Sequence, residues 1–223
     1  MMGCAPSDNT CLLDQKPRHQ VTISDFLVMD TLLTYAQCSS FQLFPQATCR
    51  YMDPQGTLGA SINDVATALT WQQAVQVCEL LGGRLPTEAE FEFMVRAGGN
   101  ARFFCGEQES CLGSLVCTSG LSTCQRVRQR AANPWGLYDL NGVMAQHVQD
   151  YYSSSYYGPD PVTDPQGPAT GVFRGGRGVG WIQSAACSTY CYYYTASMRY
   201  YSPPDFGPAQ GGPRGVRCVR ELP

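Results

Sequence analysis

The chain has 223 residues, enough to bury a full core, and a single domain spanning 1–223 is the natural count. Its formal charge of −3, with the arginines and the one lysine (Lys16) scattered rather than massed, excludes an electrostatic case for nucleic acid. No apolar run approaches the roughly 18 residues that a membrane-spanning helix needs.

In chain order, Val21, Ile23 and Phe26 alternate with polar residues and predict a short strand. Three helix starts carry a capping box, in which a threonine hydroxyl and the side chain three residues on satisfy each other's backbone amides: Thr34 with Gln37, Thr70 with Gln73, and Thr87 with Glu90. After Thr70, the residues Trp71, Ala74, Val75, Cys78 and Leu81 fall on one helical face, and Gly82-Gly83 ends the helix. The Thr87 helix is expected to run to about Arg96 and to stop at Gly98-Gly99. From about 100 to 215 the chain is rich in Gly, Pro, Ser, Tyr and Cys and shows little periodicity, so it reads as loop tied down by disulfides, ions or both. Val216 to Val219 reads as a closing strand.

Twelve cysteines dominate the composition, and none sits in a CxxC. The even count and the loop settings point to disulfides formed in an oxidising compartment, hence to a secreted, periplasmic or cell-surface protein. The opening MMGCAPSDNTC has no basic n-region and no apolar h-region, so either a signal peptide was removed before this numbering or the chain is a fragment. Cys4 with Cys11, and Cys38 with Cys49, are each isolated and close enough to form local bridges. Cys105, Cys111, Cys117 and Cys124 are expected to pair among themselves in one of three connectivities.

The segments KPRHQVTISDF (16–26), TWQQAVQVC (70–78), GGRLPTEAEFEF (82–93), NPWGLYDLNG (133–142), FRGG (173–176) and GVRC (215–218) occur in the order seen in the formylglycine-generating enzyme family. The chain resembles these sulfatase-modifying-factor domains over nearly its whole length, and RLPTEAE is a specific signature. The resemblance implies an α+β fold: irregular, loop-rich and related to the C-type lectins, with two or three short helices and small antiparallel sheets. It also implies a Cys78–Cys218 disulfide. A second family bridge would join positions that hold Val95 and Ala196 here. Family members include copper-dependent oxidases that convert a sulfatase cysteine to formylglycine, and ligand-binding proteins without that chemistry, so the site has to decide function.

Soft thiolate pairs select copper(I). Tyr190-Cys191 stands before Arg199 at the spacing of the oxidases, which matches Cys191 to their second cysteine. The first falls on Ala186 without a gap, or on Cys187 through Ser184-x-x-Cys187 with a gap of one residue. An RGVGWIQ stretch is inserted ahead of Ser184, and Tyr193 and Thr195 stand where the enzymes carry arginines. The family's Gly-Asn-Val-Trp-Glu-Trp box, which gives backbone and carboxylate ligands to calcium, reads Gly142-Val143-Met144-Ala145-Gln146-His147. Asp139 and the backbone at Gly142 remain, but the carboxylate is gone, and no calcium is expected at 139–147.

Ten of the 13 tyrosines lie between 151 and 201: Tyr151, Tyr152, Tyr156, Tyr157, Tyr190, Tyr192, Tyr193, Tyr194, Tyr200 and Tyr201. They are interleaved with serines, a paratope-like composition in which tyrosine gives large contact area at low entropic cost. With Trp181 and His147 they form the candidate ligand-binding set. The plainer reading places half of them in the core, although consecutive residues such as Tyr192 to Tyr194 cannot all face inward on an extended chain. The sequence therefore points to a secreted domain that binds a protein or glycan through a Tyr/Ser-rich face. The alternatives are a divergent copper oxidase using Cys187, Cys191 and Ser184, or a structural surface or assembly protein. Copper belongs to the oxidase reading alone, calcium elsewhere in the fold is left open, and the sequence sets no oligomeric state.

Overall fold

The computed structural model describes residues 1–42, 49, 51–52, 58–59, 69–114, 126–179, 191–205 and 214–222; for 51, 52, 58, 59, 114 and 191 only the backbone is described. Three α-helices follow the three capping boxes: α1 (Tyr35–Ser40), α2 (Trp71–Leu80) and α3 (Glu88–Arg96). In each, the threonine hydroxyl accepts from the third residue's N–H and that residue's side chain accepts in return. Helix α3 ends on Ala97 in the left-handed region, followed by Gly98 at φ +83°.

The strands are short: β1 (Val21–Thr22), β2 (Phe26–Val28), β3 (Tyr51–Met52), β4 (Leu58–Gly59), β5 (Gln146–Tyr151), β6 (Val162–Thr163), β7 (Arg174–Arg177), β8 (Tyr200–Ser202) and β9 (Val219–Glu221). They form small sheets ordered β1-β6, β2-β9, β3-β4 and β5-β7-β8, all antiparallel except β1-β6, whose strands run parallel.

Several expectations shift. The single strand expected across Val21, Ile23 and Phe26 is two strands in different sheets, because the Ser24 backbone N–H and hydroxyl both bind the Asp164 carboxylate and turn the chain between them. The closing strand lies at Val219–Glu221 rather than at 216–219; Val216 and Cys218 use their carbonyls on Leu33 and Met29. The stretch read as loop from 100 to 215 contains the three-stranded sheet. Strand β5 carries no alternation because most of its residues are buried on both faces. Val77, not Leu81, completes the buried face of α2, and Leu81 is exposed at the helix end.

Two cores result. Ala74, Val77 and Cys78 of α2 pack with Leu33, Leu69, Leu85, Val216 and Cys218, and the Cys78–Cys218 disulfide fastens α2 to the chain entering β9. Helix α3 lies across β5 and β7, burying Phe91, Met94 and Val95 against Leu137, Val148 and Ala196. Val95 and Ala196, which replace the second family bridge, thus share one apolar cluster. Disulfides also join Cys4 to Cys11, Cys38 to Cys49 and Cys105 to Cys111. Cys117 and Cys124 lie outside the described residues. Gly83 is required where Arg84 pairs with Val219: a Cβ there would sit 2.2 Å from the Val219 carbonyl oxygen.

Candidate ligand-binding face

All three carboxylates of helix α3, Glu88, Glu90 and Glu92, are buried, and this builds the platform of the site. Glu90 is used locally, closing the capping box and holding Arg84 through two bonds of 2.7 and 2.8 Å. Glu88 and Glu92 are buried and take one arginine each from the loop-rich half. Arg177 of β7 bonds Glu92 at 2.5 Å and also donates to the carbonyls of Ala196, Ser197 and Met198. Burial pushes the Glu92 carboxyl up, but Arg96 and Arg177 outweigh it and hold it below its ordinary value. Arg177, which opens the inserted stretch in the sequence comparison, is therefore a core residue of β7.

Arg199 bonds Glu88 at 2.6 Å and donates to the carbonyls of Asp14 and Ser153. One guanidinium thus ties helix α3, the N-terminal segment and the loop after β5 together. Asp150, the penultimate residue of β5, accepts from the Glu88 N–H at 2.9 Å. Burial, then the neighbouring Glu88 charge, pushes its carboxyl up to about 8.

On this platform the tyrosines separate by burial. Tyr157 stacks on His19 at 5.2 Å and is buried; Tyr194 is buried with Phe103, Leu112 and Val179. Both serve the core. Tyr192 and Tyr193 are half-buried, their rings 4.1 Å apart, and Tyr200 is half-buried beside Tyr193. Tyr156 is exposed and packs edge-on against Tyr157. Tyr201 is 54% exposed. It stacks on Tyr152 at 4.4 Å and meets Phe173, itself 37% exposed, at 5.2 Å. Beside this group the Arg174 guanidinium lies 3.5 Å over Tyr151 and 3.6 Å over Trp71. The Tyr152 hydroxyl donates to Asp14 at 2.7 Å. Burial, then that carboxylate, raises its pKa above the ordinary range.

The cluster is made by sheet register. Tyr152 N–H bonds the Phe173 carbonyl, and Gly175 of β7 pairs with Tyr201 of β8. The FRGG glycines make room: a Cβ on Gly176 would stand 1.7 Å from Arg214 Nη1. Phe173, Arg174 and Trp71 were absent from the sequence-based set. No local signal marks them, since their proximity to the tyrosines comes from strand pairing.

His147 is no surface residue. It is 1% exposed, its Nε2 lies 3.1 Å from the Leu69 carbonyl oxygen, and burial with the nearby Arg214 lowers its pKa to about 3. A neutral, enclosed imidazole cannot contact a ligand. Tyr190, Trp181, Ser184 and Cys187 lie outside the described residues, as does the Cys191 side chain.

The donor set around 139–147 does not fit calcium. The Gln146 amide donates to the carbonyls of Asp139 and Leu140, both at 3.0 Å, and accepts from Arg217 Nε at 3.1 Å. Arg217 also donates to the Met29 and Tyr138 carbonyls, and the Arg128 N–H donates to the Asp139 carboxylate. N–H donors already occupy the oxygens that a hard cation would need. Among the described residues, Cys4, Asp8 and Cys11 also lie within metal-ligating reach of one another, but those two sulfurs are bonded together.

A family model described as the sulfatase-modifying factor enzyme 1-like domain matches residues 1–222. The formylglycine-generating enzyme of Streptomyces coelicolor is 28% identical over 173 residues, which are 71% of this chain and 53% of that protein. The chain thus spans about half the length of that curated relative. Two solved structures share the fold: PvdO from Pseudomonas aeruginosa (TM-score 0.76, 20% identity, 99% of this chain and 90% of that one) and Treponema denticola variable protein 1 (TM-score 0.76, 19% identity, 100% and 94%).

Proposed function

The chain belongs to the sulfatase-modifying factor enzyme 1-like domain family, and from that premise we propose that it is a secreted ligand-binding domain that recognises a protein or glycan through the Tyr152–Phe173–Tyr201 face. One observation carries this reading: an exposed aromatic group stands on a sheet whose loops are fixed from below by the Glu88–Arg199 and Glu92–Arg177 ion pairs. A pre-ordered aromatic surface binds with little further loss of side-chain entropy. Half-buried Tyr192, Tyr193 and Tyr200 form a second aromatic group, because Tyr200 and Tyr201 are consecutive on β8 and face opposite sides of the sheet.

The rewritten 142–147 box supports the same reading. Val143, Met144, Gln146 and His147 are all buried and committed to the interior, so this segment supplies packing rather than an open reactive cleft. Among the described residues, four disulfides suit an oxidising compartment, and no helix is long and apolar enough to cross a membrane.

The test has two arms. The protein is probed against glycan and extracellular-protein arrays, and separately incubated with copper(I), oxygen and a sulfatase-type cysteine peptide. Binding that tracks the aromatic face, with no aldehyde formed on the peptide, is the expected outcome. Copper-dependent aldehyde formation that is lost in Cys191→Ser would replace this reading with the oxidase.

A further inference from the structure

Strand β2 has an open edge away from the tyrosines. On its paired side, Met29 N–H donates to the Cys218 carbonyl at 3.1 Å. Val219, opposite Val28, directs both its N–H and its C=O to Arg84, at 2.8 Å each. Hydrogen-bonded pairs alternate along an antiparallel ladder, so the N–H and C=O of Phe26 and Val28 point away from β9. No described residue pairs with them there. Two residues on, Asp30 uses the same edge, its carbonyl accepting from Tyr138 N–H at 2.8 Å, and this brings the 135–138 turn alongside.

Between that turn and β2 lies a slot of about 320 Å³ walled by Phe93, Met94, Trp135, Leu137 and Leu222. Phe93 and Trp135 meet edge to face at 4.8 Å and both are exposed, as are Leu27 and Leu222. The slot continues past Ser24, Asp25 and Phe26 into a recess of about 270 Å³. Here four carboxylates, Asp25, Glu90, Asp164 and Glu221, face the single guanidinium of Arg84, which Glu90 holds and the exposed Glu221 approaches at 3.5 Å, leaving a net negative recess. Ser24 holds Asp164 as a carboxylate, lowering its pKa.

We propose that this edge docks an extended segment of a partner polypeptide that carries an apolar side chain close to a lysine or arginine. The segment's main chain pairs with Phe26 and Val28 as an added strand. Its apolar side chain fills the slot against Trp135, and its cation reaches the Asp25/Asp164/Glu221 recess. Strand addition supplies affinity through the backbone and specificity through flanking pockets. The recess selects the charge, since an acidic concavity concentrates cations and repels acidic segments. Protected edges usually carry charge or proline along their length, whereas this one is flanked by exposed apolar side chains.

A phage-displayed library of random heptapeptides, panned on the full chain and counter-selected on Trp135→Ser, tests this. Enriched clones should share an apolar residue within about two positions of a basic one, the reach of adjacent side chains on a strand. A synthetic copy of the enriched peptide should bind the Asp25→Asn/Glu221→Gln protein at least tenfold more weakly, and should be abolished by N-methylation of the amides facing β2. Tyr201→Ala should leave its affinity unchanged, which separates this edge from the proposed aromatic site. Unaltered near-UV circular dichroism of each variant excludes misfolding as the cause. No clone that depends on Trp135, or a consensus lacking a basic residue, overturns the proposal. So does a solution dimer that Leu27→Asp dissociates, which would assign the edge to a second copy of the chain.

Discussion

The Glu88 carboxylate and the Arg199 guanidinium meet at 2.6 Å with both side chains almost wholly shielded from solvent, 111 residues apart in the chain. This contact fixes the second half of the molecule to helix α3. Removing one partner leaves the other charge buried and uncompensated, so Arg199→Ala should cost about 3–5 kcal/mol in urea denaturation. The double change Glu88→Gln/Arg199→Met should cost distinctly less than the sum of its single changes. Additivity of the two would show that the pair does not anchor the platform.

Asp150 sets a pH dependence of definite sign. Its native carboxyl is pushed up to about 8, by burial and then by Glu88, while Arg199 pulls the other way. The unfolded chain ionises it near pH 3.8. Between those values the native state holds a proton that the unfolded state lacks, so this contribution is fully present below pH 3.8 and is lost as pH rises through about 8. The melting temperature of the wild type should therefore fall between pH 5 and pH 8.5 relative to that of Asp150→Asn. Parallel melting curves across that range would contradict the assignment.

The Cys78–Cys218 bridge closes a separation of 140 residues, against 6 for Cys105–Cys111. In the chain-entropy picture the long loop contributes about 5 kcal/mol and the short one roughly 2 kcal/mol. Replacing Cys78 and Cys218 together by alanine should lower stability by clearly more than replacing Cys105 and Cys111, measured by guanidinium titration. Equal losses would mean that native strain or residual structure sets the balance.

At the rewritten box, millimolar calcium should leave the wild-type melting temperature unchanged, because Gln146 and Arg217 already satisfy the inward carbonyls. Gln146→Glu deletes two amide N–H donors to buried carbonyls and should destabilise by about 1–3 kcal/mol. A calcium-dependent rise in the wild-type melting temperature that Asp139→Asn abolishes would show that a cation competes successfully with Arg217.

What the sequence made legible was local. Thr70 with Gln73 and Thr87 with Glu90 place helix starts because a capping box lies within four residues. Strand β5 carries no periodic signal because a strand buried on both faces loses the alternation that marks an amphipathic one. Tyrosine density located the region of the candidate face, but Tyr157 and Tyr194 turned inward while Phe173 joined from outside the set. Those assignments follow from the β7–β8 register and from where Arg177 and Arg199 land on α3, contacts separated by many residues that no short window contains. His147 reads as polar in sequence, yet it fills a core position under Arg214.

Recognition through the exposed aromatic group is tested most directly by titrating an array-identified ligand into the wild type and into Tyr201→Ala/Phe173→Ala. Interface affinity concentrates in a few aromatic anchors, each contributing about 2 kcal/mol or more. The double variant should therefore bind at least tenfold more weakly while keeping the wild-type melting temperature, since Tyr201 and Phe173 are surface residues. Undiminished affinity in that variant would contradict the account and move recognition to another part of the molecule.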